Sequence, residues 1–545
     1  MGITERLKHL SWLGLVLAVV FAGMSLTPSL IPRNFLVQGI LTGLVFSVGY
    51  ALGRGSIVVL TYFELPAKRH NNAFLLALAS ALLFFGWSCL RTTTWANELR
   101  EIMGMEAVTA VFVVQVVALA SVVILVCFSI GAGVKWLWRR AVEKITHVLP
   151  GRAGALLSFL SVILVTIFGI TGGLANLAVD ILDGIYFVSN RTSEEGVEQP
   201  VRSSQAGSDA SLITWDKTGK WGQDFIVSGP SREDLKAFGL ENAQDPIRIY
   251  GGLELAETES ERVDLVLTEM DRVGAFDRSI LVLGTPTGTG WLDPGAVDAL
   301  EYIHAGDTAI VGLQYSYTPS WMTILLDPNR SKQSSKALFD AVYDRWTKMD
   351  AETRPKLYLF GLSLGSMGSE AAASHFATLS DPIDGALRSG PPFPSDLWRE
   401  LVASRTEGSP IWLPRVGDGS LLRFTGRESS LRDGYSEWAN QRYVYIQHAS
   451  DPMSWFGASL LYARPDWLSD EGRAEDISQY FDWYPVVTFF QVLFDIPISA
   501  SPPYGFGHSF LPSSYVDAWL EVIPSETWTN EQTRMLKTQL DAEVD

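Results

Sequence analysis

The chain has 545 residues, of which 47% are hydrophobic and 19% charged, and its formal net charge is -18. This composition is richer in apolar residues and poorer in charged residues than that of an ordinary soluble protein, which disfavours a single soluble enzyme. Residues 1–185 carry 13 Lys and Arg against 8 Asp and Glu, whereas the remainder carries 29 against 52. The acidic remainder disfavours nucleic acid as a partner, because phosphate binding needs clustered Lys and Arg. The two cysteines, Cys89 and Cys127, lie in long apolar runs, which leaves the acidic part without disulfide, zinc or thiol chemistry.

Five stretches without Asp, Glu, Lys or Arg fill the first third of the chain, at residues 10–32, 34–53, 71–90, 107–134 and 153–179. Each reaches the roughly 20 residues that a helix needs to cross the ~30 Å hydrocarbon core of a bilayer. The sequence therefore predicts a transmembrane domain over residues 1–187, with the lipid bilayer as its partner. A cleaved signal peptide is the alternative for the first stretch, but that stretch is too long and four more follow it.

The loops between these stretches differ in positive charge. Ten Lys and Arg lie in the N-terminal segment and in the loops expected on the same side of the membrane as the N-terminus. Three, Arg33, Arg91 and Arg100, lie in the loops expected on the opposite side. Because Lys and Arg are retained in the cytoplasm, we expect a cytoplasmic N-terminus and an extracytoplasmic C-terminal part. The five stretches contain no ionisable side chain midway, which favours an anchor over a transporter.

The rest of the chain divides into two regions that differ in composition and periodicity. Residues 188–222 lose periodicity and fill with Ser, Gly, Glu and Gln, which is typical of a linker. In residues 223–545, β-rich runs at 248–250, 279–283, 308–313, 356–360, 386–388 and 442–447 alternate with helical patterns at 261–273, 294–305, 331–348 and 364–377. This alternation predicts an α/β domain with a mainly parallel sheet, whose ligands bind at the carboxyl edge of the strands.

One serine lies in a pattern typical of a nucleophile. Gly361-Leu362-Ser363-Leu364-Gly365 directly follows an apolar predicted strand and directly precedes a helical stretch. A nucleophilic serine sits on a sharp, strained turn, and the two glycines let strand and helix approach closely. The helix also points its positive end at an oxyanion. We therefore predict Ser363 as the nucleophile; a turn without chemistry is the alternative.

The serine hydroxyl needs a base, which in this architecture follows the serine and an acid in chain order. Among the histidines after the linker, His304 precedes the serine, His375 falls on the helix behind it, and His448 precedes the predicted acid. His508, in a glycine-flanked loop near the C-terminus, is therefore the predicted base. A surface histidine in a flexible loop is the alternative.

The acid that orients this base is expected in a loop after a late strand. Asp451 follows the strand at 442–447 and is followed by a proline, where its carboxylate can hold the imidazole in the required tautomer. Asp495, thirteen residues before His508, and Asp396, after the preceding strand, remain alternatives.

Two backbone N–H groups are needed to hold an oxyanion. Leu364, directly after the serine, is expected to supply the first. The second is expected from the loop at 284–291, where Pro286 has no N–H, so Thr285 and Thr287 are the candidates and the sequence does not separate them. This glycine-rich loop lacks the Gly-Lys-Ser/Thr ending of a phosphate-binding P-loop, which is its alternative use.

With these residues assigned, the chain resembles the bacterial family of membrane-anchored alpha/beta-hydrolases, which has a multi-span N-terminal domain and a C-terminal catalytic domain. The resemblance covers nearly the whole chain and rests on residues 284–291, 360–368, 447–455 and 505–510. It implies an alpha/beta-hydrolase fold with a triad of Ser363, Asp451 and His508, and it implies no substrate.

Residues 318–329 and 391–440 are lid candidates because they mix Trp, Leu and Pro with polar residues. Beside a membrane, such apolar cover favours a pocket for an acyl chain or lipid, although packing against the core explains the tryptophans equally well. We expect a serine esterase or lipase-like hydrolase that acts outside the cytoplasm on an acyl ester or lipid, without cofactor or metal. An acyltransferase using the same acyl-enzyme, and a catalytically silent binding module on a membrane transporter or scaffold, are the alternatives.

Overall fold

The computed structural model describes residues 11–65, 70–146, 184, 186–193, 196–373, 378–469 and 472–544. The chain divides into two compact units. The first unit comprises Met1–Ile181, Phe456–Ser469 and Glu475–Ile498, and the second comprises Leu182–Trp455, Asp470–Ala474 and Ser499–Asp545.

The secondary structure follows in chain order. The α-helices are α1 Trp12–Ser25, α2 Phe35–Tyr62, α3 Asn71–Ile102, α4 Ala110–Thr146, α5 Trp215–Thr218, α6 Lys220–Val227, α7 Arg232–Ala237, α8 Glu259–Val273, α9 Pro294–Ile303, α10 Ser320–Leu326, α11 Asn329–Thr347, α12 Leu364–Ala372, α13 Asp396–Ala403, α14 Pro452–Trp455, α15 Val487–Asp495, α16 Pro512–Val522 and α17 Asn530–Ala542. The strands are β1 Ile247–Gly251, β2 Ile280–Thr285, β3 Thr308–Leu313, β4 Lys356–Leu362, β5 Gly385–Ser389, β6 Leu422–Thr425 and β7 Arg442–Ile446. Short 3-10 helices lie at Ala275–Asp277, Ala458–Leu461, Asp466–Leu468 and Ile496–Ile498.

The first unit is helical and apolar. Within the described residues, α2, α3 and the Ala110–Arg140 part of α4 are long and apolar enough to cross a membrane. The prediction of five spans is wrong there, because α1 has only 14 residues, about 21 Å at 1.5 Å per residue, and ends at Ser25 before Pro28. The predicted span at 153–179 lies outside the described residues.

The first unit also includes a segment, containing α15, that was predicted to belong to the C-terminal domain. Helix α15 is mostly apolar, and Val487 at its start is fully buried together with Leu41 and Val45 of α2. Phe490 and Phe494 of α15 pack against the same cluster. Helix α15 thus buries apolar surface against the N-terminal helices, and residues 456–469 and 475–498 group with the first unit.

The second unit is built on a parallel sheet in the order β1-β3-β2-β4-β5-β7-β6. Six strands coincide with the predicted runs, which confirms the α/β prediction; β6 was not predicted. Consecutive residues of β2 alternate between two cores: Ile280 and Val282 join one apolar cluster, and Leu281 and Leu283 join the other. Burial on both faces explains why these strands are continuous apolar runs.

Helices cover both faces of this sheet. Helices α9, α16 and α17 contribute to one cluster, and α8 and α11 contribute to the other. Because the strands are parallel, their carboxyl ends lie at one edge, where the loops after β2, β4, β5 and β7 meet.

Candidate active site

Ser363 lies on a strained turn between β4 and α12. Its backbone dihedral angles are φ 61° and ψ -126°, a combination that residues other than glycine rarely adopt. The residue is 1% exposed, and its Oγ has no hydrogen-bond partner in the described part of the chain. Such a serine is typical of a nucleophile elbow, in which the backbone is held strained to present the hydroxyl.

The two glycines that flank the serine are required by close backbone contacts. A Cβ on Gly361 would lie 2.2 Å from the carbonyl oxygen of Gly365. A Cβ on Gly365 would lie 2.1 Å from the carbonyl oxygen of Thr285 at the end of β2. Side chains at these two positions would therefore push the strand, the helix and the neighbouring loop apart, which explains the spacing seen in the sequence.

Asp451 and His508 form a short hydrogen-bonded pair. His508 Nδ1 lies 2.6 Å from Asp451 Oδ2, and Asp451 is fully buried. The second carboxylate oxygen, Oδ1, accepts the N–H of Met453 at 2.8 Å. Because the carboxylate accepts a hydrogen bond at Nδ1, the lone pair of the neutral imidazole is on Nε2. This Nε2 has no partner among the residues described.

Ser363 and His508 are brought together at the end of β5. The N–H of Ser363 donates to the carbonyl oxygen of Ser389 at 3.0 Å. The next residue, Gly390, lies against the His508 ring, since a Cβ there would be 2.6 Å from Cε1. The three residues predicted as nucleophile, base and acid therefore lie at the same carboxyl edge of the sheet.

Two further residues hold the histidine loop. His448 Nδ1 donates to the carbonyl oxygen of Gly507 at 2.9 Å, and the N–H of Gly507 donates to Ser450 Oγ at 3.0 Å. The ring of His448 stacks on Phe510 at 4.5 Å between centroids. From the sequence, His448 was weighed only as a candidate base. Its position in the loop that carries Asp451 nevertheless indicates that it could hold the neighbouring His508 loop.

The alternative acids and bases have other surroundings. Asp495 belongs to the first unit and forms an ion pair with Arg33 at 2.8 Å, and Asp396 has a 72% exposed side chain that pairs with Lys332. His304 follows α9, and burial lowers its pKa to about 4. His375 lies outside the described residues.

The predicted oxyanion donors differ in how their N–H groups are used. Leu364 is the first residue of α12, so its N–H has no acceptor within the helix. The N–H of Thr287 donates to the carbonyl oxygen of Trp291 at 2.9 Å, whereas Thr285 ends β2 opposite Gly361. The hydrogen bonds therefore do not single out either residue, and Thr285 and Thr287 both stay candidates for the second donor.

The fold and the strained serine between β4 and α12 are typical of the alpha/beta-hydrolase class. A family model described as "Alpha/beta-hydrolase family" matches residues 247–536, and a model of the N-terminus of this family matches residues 26–230. The first match covers more than half of the chain, so the chain belongs to this alpha/beta-hydrolase family. Membership supports a hydrolase-type enzyme. Neither a curated protein nor a solved structure matched the chain.

Proposed function

We propose that the protein is a membrane-anchored serine hydrolase, esterase-like or lipase-like, that acts outside the cytoplasm on an acyl ester or lipid. One observation carries the proposal: a strained, unpartnered Ser363 lies at the same sheet edge as a His508–Asp451 pair whose Nε2 is unpartnered among the described residues. An ordinary Gly/Ser turn does not require strain of this kind, whose cost is about 1–3 kcal/mol.

In the proposed reaction, His508 Nε2 takes the hydroxyl proton of Ser363 while Oγ attacks the acyl carbonyl carbon. Asp451 keeps the Nδ1 proton in place and stabilises the imidazolium. The N–H of Leu364 and a second N–H from the loop at 284–291 hold the oxyanion. The imidazolium then protonates the leaving alcohol, and the same base activates the water that hydrolyses the acyl-enzyme.

An apolar substrate is supported by the first lid candidate. Ser320, the first residue of α10, accepts the N–H of Gly288 through its Oγ at 2.9 Å, so α10 packs on the proposed oxyanion loop. The same helix exposes Leu325 and Leu326 by 48% and 51%. Exposed leucines on a helix that packs against the proposed oxyanion loop favour an acyl chain or lipid over a polar substrate.

The proposed location rests on the three long apolar helices and on the five Lys and Arg at residues 135–152, which we expect on the cytoplasmic side before the predicted span at 153–179. A cysteine introduced at the exposed Ser204 tests the orientation. We expect it to react with a membrane-impermeant maleimide in intact cells. Reaction only after lysis would place the hydrolase unit in the cytoplasm.

The catalytic assignment is tested by the hydrolysis of p-nitrophenyl esters. We expect Ser363→Ala and His508→Ala each to lower kcat by several orders of magnitude, and the double variant to be hardly worse, because residues that act as a unit are not additive. Ser366→Ala, one turn into α12, is the matched control and should retain activity. Additive losses, or an active Ser363→Ala, would contradict the mechanism.

A further inference from the structure

The first unit contains a buried cluster of charged residues that the proposed reaction does not use. Arg33 follows α1 and Arg100 lies at the end of α3, and they are 5% and 8% exposed. Arg33 Nε donates to Asp495 Oδ1 at 2.8 Å, and its Nη1 donates to Gln38 Oε1. Two of the three arginines that the loop count placed on the sparsely charged side are therefore inside the protein.

The second arginine has no carboxylate partner in the part of the chain that the structure describes. Arg100 Nη2 donates to the carbonyl oxygen of Arg33 at 3.1 Å. An arginine side chain stays protonated in proteins, so Arg100 carries a full charge away from water. A buried charge without a counter-ion is strongly unfavourable, which calls for a negative group near Arg100.

A small cavity lies beside both arginines. Its volume is about 30 Å³, and Arg33, Arg100, Gln38 and Thr92 contribute to its lining, together with apolar residues of α3, of α4 and of the loop after α1. Arg33 Nη2 and Arg100 Nη1 are both buried and have no hydrogen-bond partner among the described residues. The cavity lining contains no Asp or Glu. Two guanidinium groups, each with an unused N–H donor, thus border the same cavity.

The size of the cavity restricts what it can hold. A single water needs roughly 10–15 Å³ of such volume, so about 30 Å³ accommodates one or two atoms of that size. A volume of this size favours a monatomic anion over a phosphate or carboxylate headgroup. The local charge also restricts the charge of the ligand. Arg33 and Arg100 carry two positive charges and Asp495 one negative charge, so one positive charge is left for a monovalent anion to neutralise.

We propose that the first unit binds one monatomic anion, chloride under ordinary conditions, between Arg33 and Arg100. The anion neutralises the excess charge and accepts the two unused guanidinium N–H groups. It thereby fixes the loop after α1 to the end of α3, independently of the reaction at Ser363.

Equilibrium dialysis of the full chain in detergent with radioactive chloride tests this proposal. We expect saturable binding of one chloride per chain, competition by bromide, and no competition by sulfate at the same ionic strength. Absence of saturable binding to the native protein would overturn the proposal, and equal competition by sulfate would overturn the assignment to a monatomic anion.

Two variants locate the site. Arg100→Met should abolish the saturable binding, and Arg100→Lys, which keeps the charge but loses the planar fork, should weaken it. Arg54→Met is the matched control, because Arg54 is an exposed arginine on α2. Retention of binding in both Arg100 variants, or its loss in Arg54→Met, would contradict the proposed position.

Discussion

Replacement of Asp451 by Asn isolates the contribution of the carboxylate. The asparagine oxygen can still accept the N–H of Met453, which Asp451 Oδ1 accepts at 2.8 Å, so the loop keeps its fold. The amide nitrogen then faces His508 Nδ1, where the carboxylate accepts at 2.6 Å, and it can only donate. The imidazole must move its proton to Nε2, and it loses the lone pair that takes the proton of Ser363. We expect the labelling rate of Ser363 by a fluorophosphonate to fall by about 10⁴-fold, or roughly 5.4 kcal/mol.

Asp495→Asn is the control for this prediction. It breaks the buried pair with Arg33 at 2.8 Å, so the free energy of unfolding should fall by about 3–5 kcal/mol. The labelling rate of the folded fraction should change by less than about tenfold, because a bystander acid does not set the tautomer of His508. The opposite ranking of the two labelling rates, with both variants folded, would refute the assignment of Asp451.

The remaining predictions concern packing, positioning and pH. Gly365→Ala, whose Cβ would lie 2.1 Å from a carbonyl oxygen, should destabilise the second unit by at least about 1–3 kcal/mol, whereas Gly426→Ala should not; chemical unfolding measures both. His448→Gln should slow fluorophosphonate labelling by up to about 10²-fold at unchanged thermal stability, because the loop that carries His508 loses its support; an unchanged rate would contradict that role. Burial lowers the pKa of His304 to about 4, so the unfolded chain binds the proton first, and stability should fall by up to ~3 kcal/mol as the pH drops from about 6.5 towards 4. The pH dependence of unfolding should be shallower in His304→Gln, and an identical slope would contradict this origin.

The strands and the elbow were predictable because their signals are local. Continuous apolar runs identify strands that are buried on both faces of the sheet. Of the two glycines that flank Ser363, Gly361 contacts backbone only four residues away, and Gly365 contacts the end of β2, the strand beside β4 in the sheet. Strand β6 escaped because it has four residues and lies in a long irregular segment, where periodicity carries little information.

The grouping of residues 456–469 and 475–498 with the N-terminal helices was not predictable from periodicity. The apolar run of α15 is compatible with a buried strand or helix of either unit, and only long-range packing against Leu41 and Val45 decides. The three stretches that do correspond to long apolar helices differ from those helices in their bounds. The prediction cut α2, α3 and α4 at Arg54, Arg91 and Lys135, whereas each helix continues past the charged residue.

The central claim is that Ser363 is a nucleophile activated by His508. Mass spectrometry of the native full chain after treatment with a fluorophosphonate probe tests it most directly, since the adduct is covalent and can be assigned to one residue. We predict a single adduct on Ser363 that is absent from Ser363→Ala and strongly reduced in His508→Ala. Folded native protein without an adduct, or with an adduct on another serine, would contradict the claim.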